Sequence, residues 1–327
     1  MIRVINMNHS FLRFLIIFIL LFSGISWSQT YPSRPITMVV PHAVAGTNDI
    51  VGRLLAPTFG EILGGSVLVE NRPGAAGNIG TQSIARANKD GYSLLLTINS
   101  TQAINPSLYK NPGFDPIADF VFLSYIGATP YVLVTQPNSP YKSLSDVVAA
   151  AKKKPGEIGY GSGGSGTLNH LLGAMLSTSA GINLLHIPYK GASPAINDVL
   201  GGQIPLAFAS LPSVLGFIKA GKLHPISISS AKRSTSFPDV PAMAETYSDC
   251  IGEVWVGLFA PSGISLEVAK KIQDAMTKAM QRTELRDKLL AQGLDLTPIA
   301  NEKLFDYLRL ELGRWAKIVK VSGAMLD

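Results

Sequence analysis

Short β-rich runs alternate with amphipathic segments along most of the chain. ITMVV (residues 36–40), VLVE (67–70) and YSLLLTI (92–98) are strand-like, and helix-like stretches separate them. The alternation resumes after Pro130, from YVLVTQ to PISISS, and residues 253–261 form another strand-like run. This pattern is typical of α/β proteins with largely parallel sheets. We therefore predict an α/β fold that ends in a helical tail over residues 265–321.

The order of these blocks predicts two lobes. The chain builds one block, crosses to a second and then returns, with predicted crossings near residues 127–130 and 251–253. Lobe 1 then comprises residues 29–127 and 254–327, and lobe 2 comprises residues 128–253. Because open α/β sheets bind ligands outside the carboxyl ends of their strands, a cleft between the lobes is the expected site.

The N-terminus has the pattern of an export signal. Arg3 and Arg13 precede the apolar run FLIIFILLFSGI, and Ser26 and Ser28 follow at the small-residue positions that a signal peptidase reads. The run is shorter than the roughly 20 residues that a spanning helix needs. We predict a cleavable signal peptide over residues 1–28 and a soluble periplasmic protein after cleavage; a retained membrane anchor is the alternative.

Charge and cysteine content argue against a nucleic-acid-binding protein and a disulfide-stabilised one. The whole chain has 28 basic and 22 acidic residues, and loss of Arg3 and Arg13 leaves 26 against 22, a net charge of +4. The basic residues are scattered and not interleaved with aromatic residues, so no nucleic-acid partner is expected. Cys250 is the single cysteine of the sequence, which excludes an internal disulfide.

The segment YGSGGSGTLNHL has Gly161, Gly163 and Gly166 at the spacing G-x-G-x-x-G. A dinucleotide site needs an acidic residue about 20 positions later, but residues 158–197 contain none. A phosphate-binding P-loop needs Lys after its last glycine, where this chain has Thr167. Hydrolase-elbow and metal-ligand spacings are absent from the sequence as well. The motif therefore predicts an anion-binding loop without a reactive group, cofactor or metal, or else a flexible turn.

Two further small-residue loops occupy the same strand–loop–helix position, at residues 43–47 and 73–77. Helix N-termini and successive backbone amides bind anions. If the three loops face each other across a cleft, an anion is held from both lobes. This arrangement predicts a receptor that closes on its ligand.

Several segments carry a family resemblance. In order, these are VVPHAVAGTNDIVGRLL, VENRPGAAGNIGTQSIARANKDGYSLLL, AINPSLYKNPGFDPIADF, YGSGGSGTLNHL, HIPYKGASPAINDVLGGQIPLAF and GLFAPSGI. Together they resemble the Bug family, the periplasmic solute-binding receptors of tripartite tricarboxylate transporters. The resemblance implies a type II periplasmic-binding-protein fold, with two α/β lobes, a ligand cleft between them and two crossover connections. It also implies a small carboxylated ligand, membrane transporter subunits as partners, and a monomer.

The candidate ligand-binding residues lie on the loops at strand ends and in the matching motifs. They are His42, Ala45, Gly46, Asn99, Ser100, Thr101, Ser162, Gly163, Ser165, Gly166, Thr167, His170, Tyr189, Lys190 and Ser210. The chain departs from the family pattern in the first loop, where His42 replaces a common Phe and Ala45 a common Gly. Gln102 also stands where members often have His. The identity of the ligand therefore cannot be inferred from the ligands of other family members.

Other charged residues have structural interpretations. Asp49 lies in the first turn of a helix, where the dipole favours a carboxylate, and Arg53 is spaced to pair with it. The side chain of Arg72 is interpreted equally well as solvent-exposed or as a ligand contact. The main functional hypothesis is a binding receptor that is not an enzyme. Its alternatives are a secreted α/β enzyme acting on a small carboxylic acid and a surface interaction protein.

Overall fold

The computed structural model describes residues 31–234 and 237–322, with side chains up to residue 320. The predicted signal peptide over residues 1–28 lies outside the described residues. Everything below refers to the compact unit that begins at Arg34.

The strands and helices of the described residues alternate as the sequence predicts. The strands are β1 Ile36–Val40, β2 Val67–Asn71, β3 Ser93–Ile98, β4 Phe120–Thr135, β5 Gly159–Ser162, β6 Leu185–Pro188, β7 Leu206–Ser210, β8 His224–Ile228 and β9 Glu253–Pro261. The α-helices are α1 Thr47–Leu63, α2 Asn78–Ala85, α3 Asn105–Leu108, α4 Leu144–Lys153, α5 Leu168–Ala180, α6 Ala192–Leu200, α7 Leu211–Lys219, α8 Leu266–Gln281, α9 Thr283–Ala291 and α10 Leu304–Ser322. A π-helical turn, Ser100–Ile104, precedes α3.

The strands pair in the order β2-β1-β3-β9-β4-β7-β5-β6, and β8 also pairs with β4. Parallel pairs occupy the two outer parts, where β1 joins β2 and β3, and β5 joins β6 and β7. The centre is antiparallel, because β4 and β9 run in opposite directions and meet antiparallel neighbours. The expectation of largely parallel sheets therefore holds only for the outer parts.

Strand β4 belongs to two half-sheets. Residues 120–130 pair with β9, and residues 131–135 pair with β7 and β8. The sequence reading began this strand at Tyr131 and missed its first part. Proline inside a strand is normally restricted to edges and irregular positions. Pro130 lies in β4 where the partner changes from β9 to β7, so the residue that looked like a boundary marks a change of partner.

The first half-sheet (β2, β1, β3, β9 and residues 120–130) is held to the helical tail by buried contacts. Within the half-sheet, Phe122 of β4 stacks on Phe259 of β9 with ring centroids 4.2 Å apart, and the hydrogen bonds that follow join β9 to α10. Trp255 and Trp315 both donate indole N–H hydrogen bonds to Glu311 Oε2, each at 2.9 Å. The tail therefore packs on the sheet, as its apolar periodicity predicts.

The second half-sheet (residues 131–135, β7, β5, β6 and β8) has its own apolar core. Val132 and Val134 from β4 pack there with Ile196 of α6 and Val214 of α7. The loops that lead into α1, α2, α5, α6 and α7 leave the carboxyl ends of strands with parallel partners. No helix of the described residues is long and apolar enough to cross a membrane.

Candidate functional site

The first loop, Pro41–Gly46, connects β1 to α1 and is held by a carboxylate. Ala45 adopts a left-handed backbone with φ 64°, and its N–H donates to Asp49 Oδ2 at 2.8 Å. Asp49 also forms an ion pair with Arg53 at 2.9 Å. Burial tends to raise the pKa of Asp49, but hydrogen bonds from Arg53 and Ala45 lower it overall. Asp49 therefore stabilises the loop from the helix side.

The glycine loop, Gly163–Thr167, connects β5 to α5 and uses some of its own amides. Gly164 and Gly166 have φ values of 128° and 85°. The Gly164 N–H donates to Ser162 Oγ at 3.1 Å, and the Gly166 N–H donates to His170 Nδ1 at 3.1 Å. Two amides expected to wrap an anion are thus occupied within the loop, because a serine and a histidine accept from them.

Two stacked histidines support the glycine loop from behind. His170 and His186 have ring centroids 3.9 Å apart, and His186 Nε2 lies 2.6 Å from Ser162 Oγ. Burial, together with a smaller effect of the neighbouring His170, lowers the pKa of His186 to about 4. Burial also lowers the pKa of His170. A group whose pKa is about 4 is neutral near pH 7, so His186 packs there as an uncharged ring.

Hydrogen bonds join the first loop to helices of the second half-sheet. Ser193 of α6 donates its hydroxyl to the Val44 carbonyl at 3.0 Å. Ser213 of α7 donates to the Ala45 carbonyl, also at 3.0 Å. The two half-sheets are therefore in direct polar contact at their loops.

A small inner chamber of about 50 Å³ lies among these loops. Its walls are His42, Ala43, Val44, Gly46, Thr47, Asn48, Ile98, Ser100, Tyr131, Gly163, Thr167, Asn169, Gly191, Ala192 and Ser210. No Asp, Glu, Lys or Arg is among them.

Four helices begin at this inner chamber. The N-cap residues of α1, α5, α6 and α7 are Gly46, Thr167, Gly191 and Ser210, and all four line it. None of the four makes a side-chain capping hydrogen bond. The first N–H groups of a helix have no partner within the helix and carry the positive end of its dipole. The chamber is therefore an electropositive cavity built without a cationic side chain.

A wider outer chamber of about 610 Å³ adjoins the inner one, since His42, Ala43, Gly163 and Gly191 line both. Its other walls are Pro41, Pro73, Gly74, Ala75, Ala76, Gly77, Tyr109, Gly164, Ser165, Pro188, Tyr189 and Lys190. The loop over residues 73–77 therefore lies beside the first loop and the glycine loop, as the sequence predicts.

His42 stands at the junction of the two chambers in its neutral form. Its Nδ1 accepts a hydrogen bond from Asn48 Nδ2 at 3.0 Å, and Asn48 also donates to the Leu96 carbonyl at 3.2 Å. The proton of the neutral ring is therefore assigned to Nε2, which is buried without a hydrogen-bond partner among the described residues. Burial lowers the pKa of His42 to about 4, against a smaller opposing effect of the Ala76 carbonyl.

The structure brings nine of the predicted residues to the chamber walls: His42, Gly46, Ser100, Gly163, Ser165, Thr167, Tyr189, Lys190 and Ser210. Six others lie outside those walls: Ala45, Asn99, Thr101, Ser162, Gly166 and His170. Asn99 donates to the Glu253 carbonyl at 2.8 Å, and Thr101 Oγ1 lies 2.9 Å from Thr97 Oγ1. Their hydrogen bonds thus run within the protein, behind the walls.

The sequence reading missed several wall residues. Asn169 of α5 is 2% exposed, donates to the Phe208 carbonyl at 3.2 Å and leaves its Oδ1 unpartnered beside the inner chamber. Tyr109 follows α3 and reaches the outer chamber from the first half-sheet. Asn169 follows the Thr167 cap by two residues and was detectable from that spacing, whereas nothing local marks Tyr109.

Comparisons with known proteins agree with this geometry. Residues 51–324 match the family described as tripartite tricarboxylate transporter family receptor. Protein BugT of Bordetella pertussis is 37% identical over 303 residues, which cover 91% of this chain and 92% of that protein.

Two solved structures are similar along nearly their whole length. The periplasmic binding protein BugD has a TM-score of 0.86 and 34% identity, covering 91% of this chain and all of BugD. An R. palustris protein solved with adipate has a TM-score of 0.87 and 28% identity, with 90% of this chain covered and 100% of the other. The chain therefore belongs to the tripartite tricarboxylate transporter receptor family, and it has the type II periplasmic-binding-protein fold of these solute-binding receptors.

Proposed function

We propose that this receptor captures a small carboxylated molecule by closing two lobes over its carboxylate, without catalysing a reaction on it. The observation that carries the proposal is the convergence of four helix N-termini, none capped by its own N-cap side chain, on one chamber without a cationic side chain. Of their first N–H groups, that of Leu168 in α5 donates to Ser100 Oγ at 3.2 Å. Helix N-termini bind anions through free N–H groups and the helix dipole. The R. palustris protein solved with adipate supports a carboxylate as the anion.

The energetics are adequate for such a ligand. Hydrogen bonds to a charged group contribute about 1.5–3 kcal/mol each. Several of them offset the cost of association, which is about 4–15 kcal/mol.

We assign lobe 1 to residues 29–127 and 254–327 and lobe 2 to residues 128–253. The change of partner along β4 at Pro130, opposite Glu253 of β9, supports hinges at these two crossings. The hydrogen bonds from Ser193 and Ser213 to the first loop then stabilise the closed state.

The cellular role proposed here follows from the family and the sequence. The signal-like N-terminus supports export to the periplasm, and membership of the family supports delivery to the membrane subunits of a tripartite transporter. We propose that the receptor acts as a monomer and needs no cofactor.

Calorimetry and native mass spectrometry test the proposal. Protein purified without refolding is examined for a co-purified acid, and the mature chain is titrated with a panel of mono-, di- and tricarboxylates. We expect at least one acid to bind and to be recovered unchanged after incubation. Turnover of the acid would support the enzyme alternative, and no binding by any acid would contradict the receptor.

Thr167→Val probes the glycine loop within the same assay. Its hydroxyl donates to the Gly164 carbonyl at 2.6 Å, so its loss loosens the loop at the start of α5. We expect binding to weaken by about 1 kcal/mol, roughly fivefold. Thr277→Val is the control, because Thr277 is exposed on α8 and donates to the Gln273 carbonyl. Equal affinity of both variants would remove this loop from the site.

Closure is tested by X-ray scattering with and without saturating ligand. Two lobes that close should give a smaller radius of gyration and a higher melting temperature. Identical scattering curves, with binding established by calorimetry, would contradict closure.

A further inference from the structure

We propose that the ligand is a monocarboxylate whose remainder is a flat, mostly apolar ring, and that the site selects it over di- and tricarboxylates. This inference rests on the proposed function, since it assumes that the carboxylate occupies the inner chamber. It concerns the outer chamber, which receives the rest of the molecule.

The walls of the outer chamber are mainly carbon. Pro41, Pro73 and Pro188 contribute rings, and Tyr109 and Tyr189 contribute aromatic side chains. The Tyr189 hydroxyl donates to Asp198 Oδ2 at 2.6 Å. Because that polar group is occupied, Tyr189 offers a ligand mainly its ring. Aromatic and proline rings favour a flat apolar partner, which aromatic pairing geometry and area burial both stabilise.

The outer chamber has little to hold a second carboxylate. The N-terminus of α2 opens on it at Gly77, but the first two N–H groups of α2, those of Asn78 and Ile79, donate to the Ala75 and Gly74 carbonyls.

The walls of the outer chamber are also poor in charged side chains. Lys190 is the one charged residue among its walls, and its side chain is exposed. Arg72 adjoins the wall residue Pro73, but its guanidinium makes two hydrogen bonds to Glu70, at 2.7 and 3.0 Å. An exposed ion pair contributes about 0–1 kcal/mol, whereas burying a charge without a matched partner is costly.

The groups at the junction of the chambers are also uncharged. His42 offers Nε2–H, a neutral donor next to Gly77 of the outer wall. Asn169 offers Oδ1, an unpartnered acceptor beside the inner chamber. The donor suits a carboxylate oxygen, and the acceptor suits a water molecule at the junction. Neither supplies the positive charge that a second carboxylate requires further out.

Benzoate and terephthalate form the matched pair that tests this selection, because they share a ring and differ by one carboxylate. Isothermal titration of the mature chain with both acids, and with adipate and malate, gives the ratio of affinities. We expect benzoate to bind at least about tenfold tighter than terephthalate, adipate or malate, because a second charge loses its water without a partner. Equal or tighter binding of any of the three would overturn the inference, whereas failure of all acids in the panel would instead overturn the proposed function.

Two substitutions locate the cause of the selection. Lys190→Met should change the benzoate-to-terephthalate affinity ratio by less than about twofold, because an exposed ammonium contributes little to holding a second carboxylate. Tyr109→Lys adds a cation to the wall and should narrow the benzoate-to-terephthalate ratio by roughly tenfold, with Tyr109→Phe as the control. A large terephthalate-specific loss in Lys190→Met, or an unchanged ratio in a folded Tyr109→Lys, would contradict the inference.

Discussion

The first loop and the glycine loop occupy equivalent strand–helix junctions but reach their shapes differently. In the first loop a non-glycine residue, Ala45, is held in the left-handed region by the Asp49 carboxylate. In the second, Gly164 and Gly166 take positive φ without side-chain strain, and His170 accepts one of the freed amides. Alanine with positive φ costs more than glycine, so the first loop depends on its carboxylate. The shape of the junction is thus common to both loops, while the means of holding it differ.

The two loops also differ in the hydrogen bonds that their backbone groups make. The glycine loop uses two of its N–H groups internally, so the positive end of α5 and its neighbours must supply the attraction for an anion. The first loop accepts hydrogen bonds from Ser193 and Ser213 through its carbonyls. We infer that the glycine loop mainly shapes the chamber, whereas the first loop forms the hydrogen bonds that join the two half-sheets. Substitutions in and around each loop test this difference.

Gly164→Val should have the largest effect. A Cβ at Gly164 would lie 3.2 Å from the Tyr189 carbonyl oxygen, at φ 128°. We expect the free energy of unfolding to fall by up to about 3 kcal/mol, because only glycine adopts this backbone without strain. Urea denaturation measures the loss. Gly216→Val is the control, because an added Cβ at Gly216 meets open space and no positive φ opposes it; equal losses would show that the glycine loop is not under this constraint.

Asp49→Ala should have the next largest effect. It removes the acceptor of the Ala45 N–H and the partner of Arg53 in one step. We expect the free energy of unfolding to fall by about 2 kcal/mol, because hydrogen bonds to a buried charge are lost. Thermal and urea unfolding measure the change, with the exposed pair member Asp274→Ala as the control. A loss no larger than that of the control would mean that the first loop holds its shape without the carboxylate.

The pH dependence of stability tests the histidine pair behind the glycine loop. The pKa of His186 is about 4 in the folded protein, below its ordinary value of 6.5. As pH falls from 6.5 towards 4, the unfolded chain binds a proton that the folded chain does not, so stability decreases over this window. Each such group contributes a slope of up to about 1.4 kcal/mol per pH unit.

His186→Gln should therefore flatten the stability curve between pH 6.5 and 4, measured by urea unfolding at closely spaced pH values. His224→Gln, at the start of β8, is the control substitution. A slope equal to that of the unsubstituted protein would show that His186 titrates freely when the protein is folded. His42 and His170, whose pKa values burial also lowers, contribute further slope on the acid side of 6.5.

Ala45→Gly should have the smallest effect. Glycine relieves the left-handed strain at φ 64° but gains freedom in the unfolded chain, and the two terms nearly cancel. We expect the free energy of unfolding to change by less than about 1 kcal/mol. In the background of Asp49→Ala, the same substitution should become stabilising, since the carboxylate no longer holds the loop. A double-mutant cycle measures this coupling, and strict additivity would mean that Asp49 and the backbone of Ala45 act independently.

Local patterns predicted most of the elements. The β1 and β9 bounds coincide with the apolar runs at residues 36–40 and 253–261. The pairing Asp49–Arg53 followed from helical spacing and is present in the structure. These features depend on residues close in sequence, where propensity and periodicity act directly.

Other features had no local signal. The sequence placed Gly166 and His170 among the ligand-binding residues, but they bond to each other behind the wall. Tyr109 was missed, because a tyrosine after a short helix is not distinguished from a packed one by its neighbours in sequence. Whether an amide is free or occupied depends on which side chain folds back onto it, and that depends on the rotamer and packing of the whole loop.

The sequence by itself determined the alternation of strands and helices, the glycines at junctions that need positive φ, and the absence of charged side chains from the glycine loop. The tertiary structure decided the antiparallel centre of the sheet, the change of partner at Pro130 and the meeting of four helix N-termini at one chamber. The reason is physical: helix caps and strand periodicity arise within a few residues, whereas strand partners and chamber walls join residues more than a hundred positions apart, such as Ala45 and Ser213. Long-range pairing is selected by the packing of the whole core rather than by any one segment.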